Sequence, residues 1–262
     1  MNLPLADPTE LADAIGKVDR FVVVLDFDGT LAPIVDHPDD AALGPGAFNA
    51  ITRLAARTPV VISSGRHLED LRDRLEGLAV LLVGGHGAEV GDHDQTIVQL
   101  VDAGSVVSTL DAIEERLHRL VGAAQGWIIE RKPTSLAVHY RLAANDDVRA
   151  LLPRIRALLD ERRHDPPGFA LMEGKQVVEM RPRGSDKGQA LEWLLDAYPG
   201  KLPLVIGDDV TDEDAFAVAE HHRGIGIFVS EIDRPTQATE RLRSPASVVA
   251  FLDRLAELQA ED

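Results

Sequence analysis

Two aspartates one residue apart, Asp26 and Asp28, close the apolar run Val22-Val23-Val24-Leu25 and stand directly before Gly29. A second apolar run, Leu204-Val205-Ile206, also leads into paired aspartates, Asp208 and Asp209, and with Asp212, Glu213 and Asp214 it places five carboxylates within seven residues. An ordinary Asp-Gly turn accounts for Asp28 and Gly29 taken alone. A helix capped by Thr211 accounts for Asp212, Glu213 and Asp214, whose charges complement a helix N-terminus. Neither accounts for Asp208 and Asp209, which repel Asp26 and Asp28 across neighbouring strand ends unless a cation lies between them. Oxygen-only ligands around one small site suit Mg²⁺, which takes one or two carboxylates together with water and phosphate oxygens.

Two further segments carry hydroxyls and positive charge. Ser63-Ser64-Gly65-Arg66 follows the apolar Val60-Val61-Ile62. It offers hydroxyls, a flexible backbone amide and a guanidinium, each a phosphate ligand by type, although a serine pair before glycine is also a common helix entry. Ser185-Asp186-Lys187-Gly188-Gln189 opens a helix with a lysine in its first turn, the unfavourable end for a cation; Lys187 is either solvated or held by an anion. Together these groups describe phosphoryl transfer to a carboxylate. Asp26 is the candidate nucleophile. Asp28, two residues on and pointing the same way, is the candidate acid and base. That role requires its pKa to stand above the ordinary value of about 3.9, as crowding by other carboxylates would cause. Mg²⁺ offsets charge repulsion, while Lys187 and Ser64 take the remaining phosphate oxygens.

These groups need strand ends to carry them. Apolar strands at 21–26, 59–63 and 79–83 alternate with helical stretches at 46–57 and 67–75, the rhythm of a parallel α/β sheet with helices on its faces. It resumes with a helix at 186–197, strand 203–207, helix 212–220, strand 224–229 and a closing helix at 246–258, where Ser244-Pro245 supplies a cap and first turn. Between these halves the order is helix 105–121, strands 127–131 and 135–140, helix 147–162, and a hairpin of 169–173 and 176–180 across Glu173-Gly174-Lys175. This order describes a small α+β module inserted into the core. Turn residues cluster at Asp102-Ala103-Gly104 and at Arg181-Pro182-Arg183-Gly184, dividing the chain into 1–103, 104–182 and 183–262. Residues 8–15 read as a short amphipathic helix.

Composition narrows the partners. With 27 basic against 44 acidic side chains the formal charge is −17, a field that opposes nucleic acid and anionic membranes and requires a locally positive site for any anionic substrate. The chain has no cysteine, which removes disulfides, thiolate metal sites and thiol nucleophiles. The first residues, Met1 to Asp7, lack the basic and apolar regions of a signal peptide, and no apolar run approaches the ~20 residues of a membrane span; the expectation is a cytoplasmic protein.

Asp26-Phe27-Asp28-Gly29-Thr30-Leu31, Ser64-Gly65-Arg66, Lys187 and Gly207-Asp208-Asp209 match in order the four motifs of the haloacid dehalogenase superfamily of phosphatases. More narrowly, the chain resembles the trehalose-6-phosphate phosphatase family. This rests on residues 207–216, on Gly85-His86-Gly87-Ala88-Glu89, on Glu130-Arg131-Lys132 followed by residues 136–141, and on Val178-Glu179-Met180-Arg181-Pro182 leading to Lys187-Gly188. Where the family pattern reads Gly-Asn-His-Gly, this chain has Gly84-Gly85-His86-Gly87. The resemblance spans residues 20 to 230 and implies a Rossmann-like core with an α+β cap. It implies that Asp26 and Asp208 hold Mg²⁺ through side chains and Asp28 through its backbone carbonyl, with Asp209 and Asp212 supporting the metal. Phe27, Gly65, Arg66 and His86 would join the substrate site. Trehalose 6-phosphate would be the substrate, with a functional association with trehalose-6-phosphate synthase.

Glu130, Lys132 and Glu179 are charged residues on or beside otherwise apolar strands of the insert, suited to several directional hydrogen bonds with a sugar; the resemblance implies the same. His139 and Arg141 alternate with Val138 and Tyr140 and fit the solvated side of a sheet equally well. The alternatives are a phosphatase for sucrose phosphate or a mannosyl or glucosyl glycerate phosphate, a phosphomutase, and a silent regulatory domain that binds sugar phosphate.

Overall fold

A computed structural model describes residues 3–16, 20–35, 37–132, 134–164, 168–174 and 176–260. In chain order its elements are α1 (Pro8–Ile15), β1 (Phe21–Asp26), α2 (Ala47–Ala55), β2 (Val60–Ser63), α3 (Leu68–Arg74), β3 (Leu81–Gly84), β4 (Glu89–Gly91), β5 (Thr96–Gln99), α4 (Ala103–Val121), β6 (Ile128–Arg131), β7 (Leu136–His139), α5 (Asn145–Asp160), β8 (Phe169–Gly174), β9 (Val177–Pro182), α6 (Lys187–Ala197), β10 (Leu202–Gly207), α7 (Glu213–His221), β11 (Ile225–Val229), β12 (Glu240–Leu242) and α8 (Pro245–Leu258). They form two units, one of Met1–Val98 with Asp186–Asp262, the other of Gln99–Ser185.

In the first unit β1 is buried along its whole length, as a continuous apolar strand covered on both faces must be. It lies in the middle of the sheet order β12-β11-β10-β1-β2-β3-β4-β5. Successive side chains point to opposite faces. Phe21, Val23 and Leu25 therefore join Ile51 and Leu54 of α2 and Phe251 and Leu252 of α8 in one core, while α6 and α7 pack against β10 on the other face. The closing helix has the expected start: Pro245 stands in its first turn and the Ser244 side chain accepts from Ser247 N.

The differences from the sequence pattern are local. β3 pairs antiparallel with β4, so the sheet is mixed at that edge. β4, β5 and β12 are absent from the sequence expectation because three or four residues carry too little alternation to stand out. Thr211 is not a helix cap. It lies in the short 3₁₀ turn Val210–Asp212, and Asp212 occupies the cap position of α7. Among the described residues no helix is long and apolar enough to cross a membrane.

In the second unit α4 and α5 cover one face of the four-stranded sheet β6-β7-β9-β8. Val106, Leu110, Ile113 and Leu117 of α4 pack with Ile155 and Leu159 of α5 and with Leu136, Val138, Val178 and Met180 of the strands. The antiparallel register Glu130↔Ala137↔Glu179 puts both carboxylates on the opposite face. β8 and β9 form the expected hairpin; Lys175 of its turn lies outside the described residues.

Candidate active site

Parallel pairing brings the C-terminal ends of β10, β1 and β2 side by side, with Asp26 opposite Ser63 and Leu25 opposite Ile206. This is the edge at which open α/β sheets bind ligands. A cavity of 1230 Å³ lies instead at the starts of β2 and β3, lined by Arg57, Val60, Arg72, Val80 and Tyr198. It holds none of the clustered carboxylates.

Carboxylate oxygens of Asp26, Asp208 and Asp212 lie within 4.8 Å of one another. Lys187 Nζ joins two of them, donating to Asp26 Oδ1 at 2.5 Å and to Asp212 Oδ1 at 2.6 Å. The lysine is therefore held by anions and not solvated. Asp212 is more than a complement to a helix dipole: its Oδ2 accepts from the backbone N–H groups of Asp208 at 3.0 Å and Asp209 at 2.9 Å, which fixes the loop after β10. Two glycines make room for this packing. A Cβ on Gly29, whose φ is +87°, would lie 2.2 Å from Asp208 Oδ2, and one on Gly207 would lie 2.3 Å from Asp212 Cγ.

The cluster carries more negative charge than its lysine neutralises. Burial pushes the Asp26 carboxyl well above the usual range; Lys187 opposes this, and Asp212 and Asp208 add to it. Burial, then Asp212 and Asp209, push Asp208 up to about 7. Burial disfavours the Lys187 ammonium, but Asp212 and Asp26 outweigh it and hold the lysine pKa above its ordinary value. Among the described residues, Asp208 Oδ1 is buried with no hydrogen-bond partner. An excess of buried carboxylate with an oxygen that lacks a donor fits a small divalent cation. Asp28 and Asp209 lie outside the trio of close carboxylates.

Asp28 has a different environment from the one its sequence neighbours suggest. The carboxylates crowd Asp26 and Asp208, whereas both oxygens of Asp28 face Arg66, with Nε to Oδ2 and Nη2 to Oδ1 each at 2.7 Å. The guanidinium stands 5.5 Å from the ring centre of Phe27. That ring is wholly buried in the core, so its side chain is closed to a ligand. Ser64 is buried, and its Oγ accepts from Arg66 N at 3.1 Å, leaving the hydroxyl proton as a donor. A Cβ on Gly65 would lie 2.4 Å from the ring of His86, so the glycine lets the imidazole settle on the loop that carries Ser64 and Arg66. His86 itself has φ +56°, an uncommon conformation for a non-glycine residue.

In the second unit Glu130, Lys132 and Glu179 form one polar group. Lys132 Nζ reaches Glu179 Oε1 at 3.3 Å, and His139 Nε2 stands 2.8 Å from Glu130 Oε2. The His139 hydrogen bond holds the Glu130 carboxyl below its usual range against the effect of burial, and Lys132 assists. His139 thus has a specific partner, while Arg141, beyond the end of β7, is exposed. Ser135, which belongs to none of the sequence motifs, donates its hydroxyl to Glu179 Oε1 at 2.6 Å. The available signal is its place in the turn three residues after Lys132.

The trehalose-phosphatase family model matches residues 24–247. The chain is 40% identical over 257 residues to the trehalose-phosphate phosphatase of Mycobacterium bovis (strain BCG / Pasteur 1173P2), covering 93% of this chain and 64% of that protein. It therefore spans a little under two thirds of that curated relative. Among solved structures it resembles a trehalose-6-phosphate phosphatase related protein, with 26% identity, a TM-score of 0.76 and coverage of 92% of this chain and 99% of the other. A haloacid dehalogenase-like hydrolase from Bacteroides thetaiotaomicron shares the fold at a TM-score of 0.63 and 16% identity, covering 92% and 99% of the two chains.

Proposed function

The chain belongs to the trehalose-phosphatase family, and from that membership and the Asp26–Lys187–Asp212 arrangement we propose that it hydrolyses trehalose 6-phosphate to trehalose and phosphate. The carrying observation is a buried strand-end carboxylate, Asp26, joined to Lys187 at 2.5 Å and grouped with Asp208 and Asp212.

In this reading a carboxylate oxygen of Asp26 attacks phosphorus. The bond from phosphorus to the sugar oxygen breaks, and the phosphoryl group passes to Asp26 as an acyl phosphate. Asp28, held in place by Arg66 and required to carry a proton at this step, gives that proton to the departing sugar oxygen. It then takes one from the water that attacks phosphorus, releasing phosphate and restoring the Asp26 carboxylate. Lys187 and the Ser64 hydroxyl hold phosphate oxygens, and Arg66 and His86 shape the loop beside them. Mg²⁺ held by the side chains of Asp26 and Asp208 and the backbone carbonyl of Asp28, with Asp209 and Asp212 in support, would neutralise carboxylate and phosphoryl charge. Glu130, Lys132 and Glu179 supply the directional hydrogen bonds that select the disaccharide.

The test is phosphate release from trehalose 6-phosphate beside glucose 6-phosphate and sucrose 6-phosphate, with Mg²⁺ and with a chelator. Magnesium-dependent release with strong preference for the first is the expected result. Preference for another sugar phosphate, isomer interconversion without free phosphate, or binding without turnover would each overturn it.

A further inference from the structure

One oxygen of Glu179 is gripped twice from a single turn. Lys132 N donates to Ser135 O at 3.0 Å, pinching the connection between β6 and β7. From the two ends of that turn, Ser135 Oγ reaches Glu179 Oε1 at 2.6 Å and Lys132 Nζ reaches the same atom at 3.3 Å. Ser135 is 6% exposed and Glu179 9%. β7 and β9 are paired in register with Ala137 opposite Glu179, so the small alanine leaves the carboxylate space to lie toward the turn. Glu130 shares that face and is held by His139. That pair is far more exposed, with side chains 45% and 38% accessible, and water competes with it.

We propose that Ser135 is a positioning residue for sugar recognition, acting through Glu179. The inference rests on the reading of the chain as a trehalose 6-phosphate phosphatase and extends it to a residue outside the expected set. A glutamate has three side-chain torsions to fix before its carboxylate can receive sugar hydroxyls in one geometry. Fixing them during folding removes that cost from the binding step. The short O–H to carboxylate bond is of the charge-assisted kind, stronger than bonds between neutral groups. Lysine alone would not suffice, because its ammonium is a point charge on a flexible stem and imposes little direction.

The test compares trehalose 6-phosphate with p-nitrophenyl phosphate, which has no sugar. For Ser135→Ala the ratio of kcat/KM on the sugar substrate to that on the aryl substrate falls about tenfold, as expected for losing a hydrogen bond to a charged group. The loss appears in KM and not in kcat. In a Glu179→Gln background the same substitution moves the ratio less than about twofold, because coupled residues do not add. Ser135→Thr, which keeps the hydroxyl, restores most of the ratio. Equal losses on both substrates, an unmoved KM, or full additivity with Glu179→Gln would overturn the role of Ser135. Absence of any trehalose 6-phosphate turnover by the unaltered chain would overturn the underlying reading as well, so the two failures are distinguishable.

Discussion

Arg66 meets Asp28 in a two-point grip, Nε on Oδ2 and Nη2 on Oδ1, each at 2.7 Å. Behind it Asp70 accepts from Arg66 Nη1 at 2.9 Å and from Arg74 Nε at 2.8 Å. Burial alone would raise the Asp70 carboxyl, but Arg74 and Arg66 hold it below its usual range. A forked guanidinium sets both distance and plane for a carboxylate, which an ammonium cannot do. Arg66→Lys is therefore expected to lower kcat on trehalose 6-phosphate by about tenfold or more, within the range of general acid–base effects. Arg66→Lys combined with Asp28→Asn is expected to be no slower than Asp28→Asn alone. Steady-state kinetics of the three variants decide this, and additive losses would show that Arg66 acts independently of Asp28.

The candidate nucleophile gives the second expectation. Asp26→Asn removes the carboxylate proposed to attack yet keeps an oxygen that accepts from Lys187 Nζ, which stands 2.5 Å from Asp26 Oδ1. It also removes one charge from a group whose burial already disfavours ionisation. Phosphate release should fall to background, while thermal unfolding occurs at or above the temperature of the unaltered chain. Turnover within about tenfold of the unaltered chain, a deficit of only about 1.4 kcal/mol in the barrier, would exclude Asp26 as nucleophile.

Lys187 is a test of the same site through stability. Its side chain is 4% exposed, and the partner side chains of Asp26 and Asp212 are 9% and 2% exposed. Removing one partner of such a pair leaves uncompensated charge in the interior, at a cost of about 3–5 kcal/mol. Lys187→Met should show a loss of this size in urea or guanidinium unfolding. Lys187→Met with Asp212→Asn should recover part of it, because one stranded carboxylate is gone. Near-native stability of the single variant would mean that water reaches the cluster.

What was legible in the sequence was what depends on neighbours in the chain. The valine run before Asp26 and the leucine–isoleucine run before Asp208 mark strands buried on both faces, and their acidic ends mark one edge of the sheet. The insert was legible because its order of elements departs from the alternation on either side. Contacts between distant residues were not legible. Lys187 and Asp26 are 161 positions apart, so local spacing showed only that the lysine sat at an unfavourable helix end. Local spacing marks Asp212 only as a charge that complements a helix N-terminus, and the family resemblance alone puts it beside the metal; in the fold it is buried and bonded to Lys187 and two backbone amides. The environment of Asp28 is not legible because carboxylates close in sequence need not be close in space, and Arg66 occupies that position. Ser135 carries no periodicity, and its function depends on β9 lying beside β7.

Asp208 links the site to pH and metal. Burial, with Asp212 and Asp209, pushes its folded-state pKa up to about 7, above the value of about 3.9 for an unperturbed aspartate. The folded chain therefore binds this proton more tightly than the unfolded chain. The resulting stability is fully present below about pH 4 and is lost as pH rises through about 7. Asp26 is shifted in the same direction. A divalent ion binds the deprotonated carboxylates, so it competes with these protons and restores stability where they have left. Thermal unfolding with Mg²⁺ or with a chelator should thus show a small metal-induced rise near about pH 5 and a larger one near about pH 8. Asp208→Asn should flatten the metal-free decline between those values and remove most of the magnesium effect. A magnesium shift of the same size at both pH values, or one that survives Asp208→Asn intact, would place the ion elsewhere.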